Sequence, residues 1–217
     1  MPNLPISQLP AAGSLTGTEL FAVVQDGVTK YTTLQAVNTA TTVNYGLFNQ
    51  TGSSIPVTGS GTGVSFSGSL IDGGIGTLSV PANSFTKGDA FSACMTGKIT
   101  ATNNHTLEIK IISDGVDLAD TGVITLSGTT DRNWRLDIDF SINEVGSAGV
   151  AIVATAGTFQ YRQDASNALI GEIFSFINSS SFDTTIDNTL QIEAIWGTTS
   201  GVTDSIYSQI FTLNKTF

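Results

Sequence analysis

The stretch Trp134-Arg-Leu-Asp-Ile-Asp-Phe-Ser-Ile142 decides the fold, because large apolar and small or charged side chains alternate along it without a break. Side chains of a β-strand point alternately to its two faces, so every second residue of this stretch lies on one face. A helix would instead scatter the same apolar side chains around its circumference. The stretch therefore predicts a long strand with one face in a core and the other in solvent.

The same alternation recurs along the rest of the second half of the chain. Strands are predicted at 76–80, 90–100, 107–111, 121–126, 149–161, 172–178, 190–196 and 206–213. Clusters of Gly, Asn, Asp and Ser separate them, and only residues 33–41 carry anything like a helical period. Parallel strands would need crossover helices, so we expect an all-β protein with antiparallel strands. Its simplest form is a jelly-roll sandwich over residues 76–217, which we call the head.

Composition excludes several classes of partner. Charged residues make up 12% of the 217 residues, about half the usual share. With eight Lys and Arg residues and a net charge of −10, we expect no binding to nucleic acid. The chain has no apolar run of about 18 residues and no basic start followed by an apolar segment, so we expect neither membrane insertion nor a secretory signal. A single cysteine excludes an intrachain disulfide.

Residues 1–43, which we call the N-terminal module, follow a different pattern. Ile6-Ser-Gln-Leu-Pro10 precedes Leu15-Thr-Gly-Thr-Glu-Leu20-Phe-Ala-Val-Val24, and Asp26-Gly27 separates that segment from Val28-Thr-Lys-Tyr-Thr32. Asp-Gly favours the turn of a tight β-hairpin. Since an isolated hairpin is marginal in water, the module needs something else to pack on. Residues 44–75, rich in Gly, Thr and Ser, are predicted to be a neck with short strands.

These segments resemble a known class of proteins. The N-terminal phrase from Ile6 to Val37 resembles the N-terminal segments of tailed-phage fibre and virion-decoration proteins. The string Thr77-Leu-Ser-Val-Pro-Ala-Asn-Ser-Phe85, the Trp134 stretch and Gly149-Val-Ala-Ile152 are similar to a C-terminal domain of phage and large-virus surface proteins. The resemblance implies a virion partner for the N-terminal module and a trimeric head of the tumour-necrosis-factor-like or fibre-head jelly-roll kind.

Candidate catalytic and metal-binding groups are few. His105 is the only histidine, and no G-x-S-x-G elbow accompanies it. One His and one Cys cannot supply the ligands of a zinc site. We therefore predict no enzyme, no catalytic residue, no cofactor and no bound metal. Cys94 is expected to be a small buried apolar residue.

Two groups of carboxylates deserve separate mention. Asp137 and Asp139 share one face of their strand about 7 Å apart, but alternation alone produces such a pair and Arg135 lies beside it. Asp114, Asp117 and Asp120 lack the spacing of an EF-hand. Solvated turn residues are the favoured interpretation of this second group, and a calcium site is left open.

Together these observations predict a homotrimeric structural protein of the virion surface, assembled in the host cytoplasm. The residues expected to attach it to the major capsid protein or a tail component are Ile6, Leu9, Leu15, Leu20, Phe21 and Val23. The residues expected at the trimer interface are Tyr161, Tyr207, Phe211 and Phe217. Capsid decoration, as a cement protein or short head fibre, is favoured because the chain is short and has no shaft repeat. The alternative is a receptor-binding tail fibre or tail spike that recognises a host surface glycan or protein.

Overall fold

The structure is a computed structural model that describes residues 20–25, 28–33, 48–59, 65–197 and 203–217. The chain divides into two compact units, Met1–Val43 and Asn44–Phe217. In the first unit, β1 (Leu20–Gln25) pairs antiparallel with β2 (Val28–Thr33), and Gln25 lies opposite Val28. Two residues thus connect the strands, as in the predicted hairpin, and the predicted Asp26-Gly27 turn itself lies outside the described residues.

The second unit consists of strands joined by turns and loops. In chain order they are β3 (Phe48–Gln50), β4 (Val57–Thr58), β5 (Phe66–Ser69), β6 (Gly74–Gly76), β7 (Ser79–Val80), β8 (Ala90–Ala101), β9 (Thr106–Ser113), β10 (Val116–Asp120), β11 (Ile124–Thr125), β12 (Thr129–Glu144), β13 (Ile152–Arg162), β14 (Leu169–Asn178), β15 (Asn188–Trp196) and β16 (Ser205–Lys215). The described residues contain no helix, and therefore none that is long and apolar enough to cross a membrane.

The strands form two antiparallel sheets. The large sheet has the order β14-β13-β12-β8-β16-β3-β6, with β4 also paired to β16. The small sheet has the order β10-β9-β15-β5, with β11 paired to β9 and β7 to β15. The prediction of an all-β protein with antiparallel sheets is confirmed, and the layers are those of a β-sandwich. The jelly roll and the trimer stay predictions, and β12, β13 and β14 follow one another as a meander within the large sheet.

One apolar core lies between the two sheets. The large sheet contributes the inward row of β12, from Trp134 through Ile138 to Ile142, as its alternation predicts. The small sheet contributes the inward rows of β9 and β15, including Ile111 and Trp196. Each fully buried side chain of this size is worth about 1.5–3 kcal/mol relative to exposure. Mutual covering of the two apolar faces is therefore the main source of stability.

The described residues of the segment 44–75, which are 48–59 and 65–75, do not form a separate neck, which corrects the sequence prediction. β3, β4 and β6 belong to the large sheet and β5 to the small sheet. Three apolar side chains of this segment, Phe48, Val57 and Leu70, lie in the core. The indole N–H of Trp196 donates to the carbonyl oxygen of Val57 at 2.8 Å. These three buried side chains hold the segment in the sandwich, because the Gly and Thr residues of the segment do not need to be buried in the core.

Trp134 joins three strands of the large sheet. Its side chain is 2% exposed, and its indole N–H donates to the carbonyl oxygens of Lys98 in β8 and Tyr207 in β16, each at 3.1 Å. Trp134 lies opposite Gly97, where any Cβ would collide with the backbone of Tyr207. Glycine at position 97 therefore permits the close approach of β16 that gives the indole its second acceptor.

The alternation along β12 predicts opposite outcomes for two adjacent substitutions. Ile138→Ala removes buried methyl groups and leaves a cavity, so we expect a loss of about 2–5 kcal/mol in the free energy of unfolding. Asp139→Ala, on the exposed face, is expected to change it by no more than about 0.5 kcal/mol. Urea unfolding of both variants measures the difference. Equal losses for the two variants would contradict the assignment of the faces.

Candidate functional site

The partly buried His105 and the fully buried Asp204 form a pair that the sequence did not reveal. The Asp204 side chain is fully buried, and its Oδ2 lies 2.5 Å from Nδ1 of His105. Its Oδ1 accepts a hydrogen bond from the backbone N–H of Thr102 at 2.8 Å. A His–Asp pair is the orienting half of a hydrolytic triad. In the described part of the chain, however, the ring hydrogen-bonds to Asp204 and to no serine or cysteine, so the pair serves to close the β8–β9 turn.

Asp137 and Asp139 do not form an acid–base pair. Arg135 donates to both oxygens of Asp137, from Nε at 2.6 Å and from Nη2 at 2.9 Å. This bidentate contact holds Asp137 against its own strand rather than toward a partner carboxylate. Both aspartates lie on the solvent-facing side of β12, as the alternation of its sequence predicts.

Cys94 lies on the outward face of β8, which corrects its predicted burial in the core. The inward positions on either side belong to Ala93 and Met95, both buried, and Cys94 is half-buried opposite Asp137. Burial raises the pKa of its thiol, with Arg135 acting in the opposite direction. Because the thiolate is the reactive form, a raised pKa makes Cys94 a poor nucleophile near neutral pH.

The three aspartates considered for calcium have separate partners. Asp114 Oδ2 accepts from the backbone N–H of Thr189 at 2.8 Å, and Asp117 pairs with Lys110 at 2.8 Å. Asp120 Oδ1 accepts from the N–H of Gly122 at 2.7 Å. Across the described ranges, no group of three or more His, Cys, Asp or Glu side chains is placed to hold a metal ion. Residues 116–120 form β10 rather than an open loop, because they pair with β9.

Two concave features differ in size and chemistry. An interior void of about 60 Å³ lies between apolar side chains such as Phe91, Phe140 and Phe182, and it is too small for an ordinary ligand. A polar groove of about 790 Å³ lies where the β8–β9, β11–β12 and β13–β14 connections meet. Its lining includes Thr100, Thr102, Asn103, Ser127, Thr130 and Gln163. These side chains offer hydroxyl and amide groups, and the described lining contains no aromatic ring.

An exposed apolar strip on β14 consists of Leu169, Ile173 and Ile177, which are exposed by 57%, 84% and 64%. Phe176, 49% exposed, lies on the opposite face of the strand with Phe174. Leu169, Ile173 and Ile177 lie on the outward face at intervals of four residues, and β14 is the terminal strand of the large sheet. Contiguous exposed apolar side chains of this kind mark association sites in soluble proteins.

The residues predicted from sequence fall in different places. Of the attachment residues, Ile6, Leu9 and Leu15 lie outside the described residues, whereas Leu20, Phe21 and Val23 lie in β1. Their role in attachment stays a prediction.

Two of the four predicted interface residues are wrong. Tyr161 and Phe211 are fully buried in the core of a single copy, so they offer no surface to another copy. Both sit at inward positions of long strands, β13 and β16, that extend beyond their predicted ends. Tyr207 is half-buried and Phe217 is 86% exposed, and their place at an interface stays a prediction.

Comparison with known proteins adds little to this description. No protein-family model matches the chain, and no curated protein matches it. Among solved structures, the chain has a likeness to the CBM2 module of Lactobacillus casei BL23 phage J-1 evolved Dit, with 12% identity over 70% of each chain and a TM-score of 0.22. A likeness at this score carries no inference about the present chain.

The structural role of the buried pair predicts a large effect of Asp204→Ala. The change leaves the Thr102 N–H and the His105 ring without their buried acceptor, so we expect unfolding to become easier by roughly 2 kcal/mol or more. Asp164→Ala removes a solvent-exposed ion pair with Arg132 and is expected to cost much less, because solvent screens exposed ion pairs. Urea unfolding at neutral pH measures both. Wild-type stability of the Asp204 variant would refute the structural role.

Proposed function

We propose that the protein is a structural component of the surface of a tailed-phage virion. The N-terminal module attaches it to the particle, and the β-sandwich projects outward. The observation that carries this proposal is the division of the chain into a 43-residue unit, whose described residues form one hairpin, and a large sandwich. The resemblance of the N-terminal phrase to phage fibre and decoration proteins gives that division its functional meaning.

The small unit is the natural attachment element on physical grounds. A two-stranded hairpin buries too little apolar surface to be stable alone. Its sequence is nevertheless rich in apolar residues such as Leu20, Phe21 and Val23. A larger protein surface that covers them would supply the missing burial. The major capsid protein or a tail component of the particle is the partner that we propose.

The sandwich supports a structural rather than a catalytic role. Asp204, Asp137 and Asp114 each hold a turn or a strand in place through hydrogen bonds within the fold. Because these carboxylates are hydrogen-bonded within the fold, the role that we propose for the sandwich is structural. A head of this kind adds bulk and stability to a particle surface. If several heads associate, their linked modules bind the particle more tightly through effective concentration.

We favour capsid decoration, as a cement protein or short head fibre, over a tail location. Neither the N-terminal module nor the sandwich contains a long fibrous repeat of the kind that extends a tail fibre. On this proposal the protein is assembled in the host cytoplasm and resides on the virion surface.

Removal of residues 1–43 tests the attachment. We expect the remaining sandwich to unfold cooperatively like the full chain but to be absent from purified particles, because it lacks the element that binds them. Quantification of the protein on gradient-purified particles measures incorporation.

Two variants of the full chain complete the test, one that changes the attachment residues and one matched control in the sandwich. Ile6→Asp combined with Leu9→Asp is expected to reduce incorporation at least tenfold, whereas Asp139→Ala in the sandwich is expected to leave it unchanged. Normal incorporation of the truncated chain would refute the attachment role of the module.

The polar groove favours a second candidate, a receptor-binding tail fibre. Hydroxyl and amide side chains around a groove of about 790 Å³ suit the hydrogen-bonding groups of a glycan. On this alternative, the loops at that end of the sandwich contact the host surface. The host ligand is then a surface glycan or a surface protein.

Competition for adsorption tests the second candidate. Purified full-length protein at micromolar concentration is expected to slow phage adsorption to host cells if the groove binds the receptor. Asn103→Ala combined with Gln163→Ala is expected to remove that competition, whereas Asp139→Ala, on the outer face of the large sheet, preserves it. Undiminished adsorption in the presence of wild-type protein would rule out this candidate and leave capsid decoration.

A further inference from the structure

We propose that two copies of the chain associate by antiparallel pairing of their β14 strands, about a twofold axis that passes through Ile173. The large sheet then continues from one copy into the next. This pairing is independent of what the N-terminal module binds. Three features of β14 carry the proposal: its open edge, the symmetry of its apolar row and the distribution of charge around it.

β14 presents a long and regular open edge. Its ten residues pair with β13 from Asn178 opposite Val153 to Leu169 opposite Arg162, without a shift of register. Within the described residues, no strand pairs with its other side. Natural edge strands are usually protected by shortness, bulges, Lys or Pro. The other terminal strands follow that rule, since β6 has three residues, β5 has four, and β10 has five with a register shift. β14 is longer, has no register shift and contains neither Lys nor Pro. Its protections are limited to one charged side chain, Glu172, and to its last residue, where the Asn178 amide donates to the carbonyl oxygen of Asp117 in β10 at 3.0 Å.

The outward row of β14 is complementary to itself. Leu169, Ile173 and Ile177 are spaced equally, so the row is symmetric about Ile173. In a twofold antiparallel pair centred there, Ile173 lies opposite Ile173 of the partner subunit. Leu169 likewise lies opposite Ile177 of the partner subunit. The three cross-strand pairs are then apolar on both sides, and such pairs are the unit of sheet stabilisation.

Charge favours the same contact. Each copy carries a net charge of −10, so copies approach most easily through a neutral surface. Glu172 is the one charged residue of β14, and the twofold pairing places it opposite Phe174 of the partner subunit instead of another Glu172. On the outward face of β13, Ala154 lies opposite Ile177 and Thr158 opposite Ile173, and both are small and uncharged. The charged neighbour is Arg162, opposite Leu169 at the end of the row.

The contact combines backbone and apolar side chains. The three side chains of the apolar strip present roughly 100 Å² each, so the strip exposes about 300 Å² per copy. Edge pairing covers the flanks of both rows and joins the unpaired backbone groups of the two edges by hydrogen bonds. The homotrimer implied by the resemblance would need contact between two different surfaces, whereas a row symmetric about its middle fits a second copy of itself.

The arrangement is tested with the full-length protein by cross-linking. In a Cys94→Ser background, Ile173→Cys places two thiols opposite each other with Cβ atoms about 4.5–5.5 Å apart, close enough for mild oxidation to join them. Ser175→Cys is the matched control, because it is also exposed on the outward face but lies opposite Gly171 of the partner subunit. We expect more than half of the Ile173→Cys chains, and less than a tenth of the Ser175→Cys chains, to form covalent dimers.

Sedimentation equilibrium measures the mass without a cross-link. The wild-type chain of 22.6 kDa is expected to sediment at twice that mass. Ile173→Asp is expected to weaken the dimer at least a hundredfold. Its urea midpoint is expected to match that of the wild-type chain when both are measured at a protein concentration low enough for both to be monomers, since the side chain is 84% exposed. Ile75→Asp, at an exposed position of the opposite edge strand β6, is expected to remain dimeric.

Four outcomes would overturn the proposal: a monomeric wild-type chain, a trimeric one, a dimer that Ile173→Asp leaves intact, or equal cross-linking of the two cysteine variants. A monomer whose Ile173 becomes more exposed after removal of residues 1–43 would assign the strip to the N-terminal module of the same chain. Incorporation into particles is measured separately, so failure of the dimer leaves the attachment proposal standing.

Discussion

The sandwich depends on one constraint, which is that each sheet must hide an apolar face that only the other sheet can cover. β12 and β15 meet this constraint from opposite sides, with Trp134 and Trp196 both buried. Each indole also needs an acceptor for its N–H, and each finds one on a backbone carbonyl. The core therefore sets the positions of neighbouring strands as well as the stability. At Gly97 the missing side chain lets the carbonyl of Tyr207 approach the indole of Trp134, and the carbonyl of Val57 accepts the hydrogen bond of Trp196.

The parts of the fold that could be predicted from sequence are those encoded by local alternation. β12 and β15 are visible because each repeats apolar and polar residues over many positions. β3 to β6 were missed as sheet strands because their anchors are isolated in a Gly-rich run. β10 was missed because its five residues do not alternate regularly between buried and exposed and its pairing with β9 contains a register shift.

The candidate sites were less predictable than the strands because they depend on residues far apart in the chain. No residue near His105 in the sequence predicts its contact with Asp204, which lies 99 positions later in the chain. Tyr161 and Phe211 lie near the ends of their predicted strands, which favoured a surface position, whereas both occupy inward positions of β13 and β16. The apolar strip was hidden for a related reason: the predicted strand began at residue 172, which excluded Leu169 and with it the symmetry of the row.

The position of β16 has a consequence for how the chain is made. β16 lies in the interior of the large sheet, where Ser205 pairs with Thr100 of β8, 105 positions earlier. During synthesis at about 5–20 residues per second, β8 waits roughly 5–20 s for this neighbour. Throughout that interval its apolar face, including Met95, has no complete sheet around it. The large sheet therefore cannot be completed before β16 has been synthesised. A nascent chain is most exposed to aggregation just before β16 emerges from the ribosome.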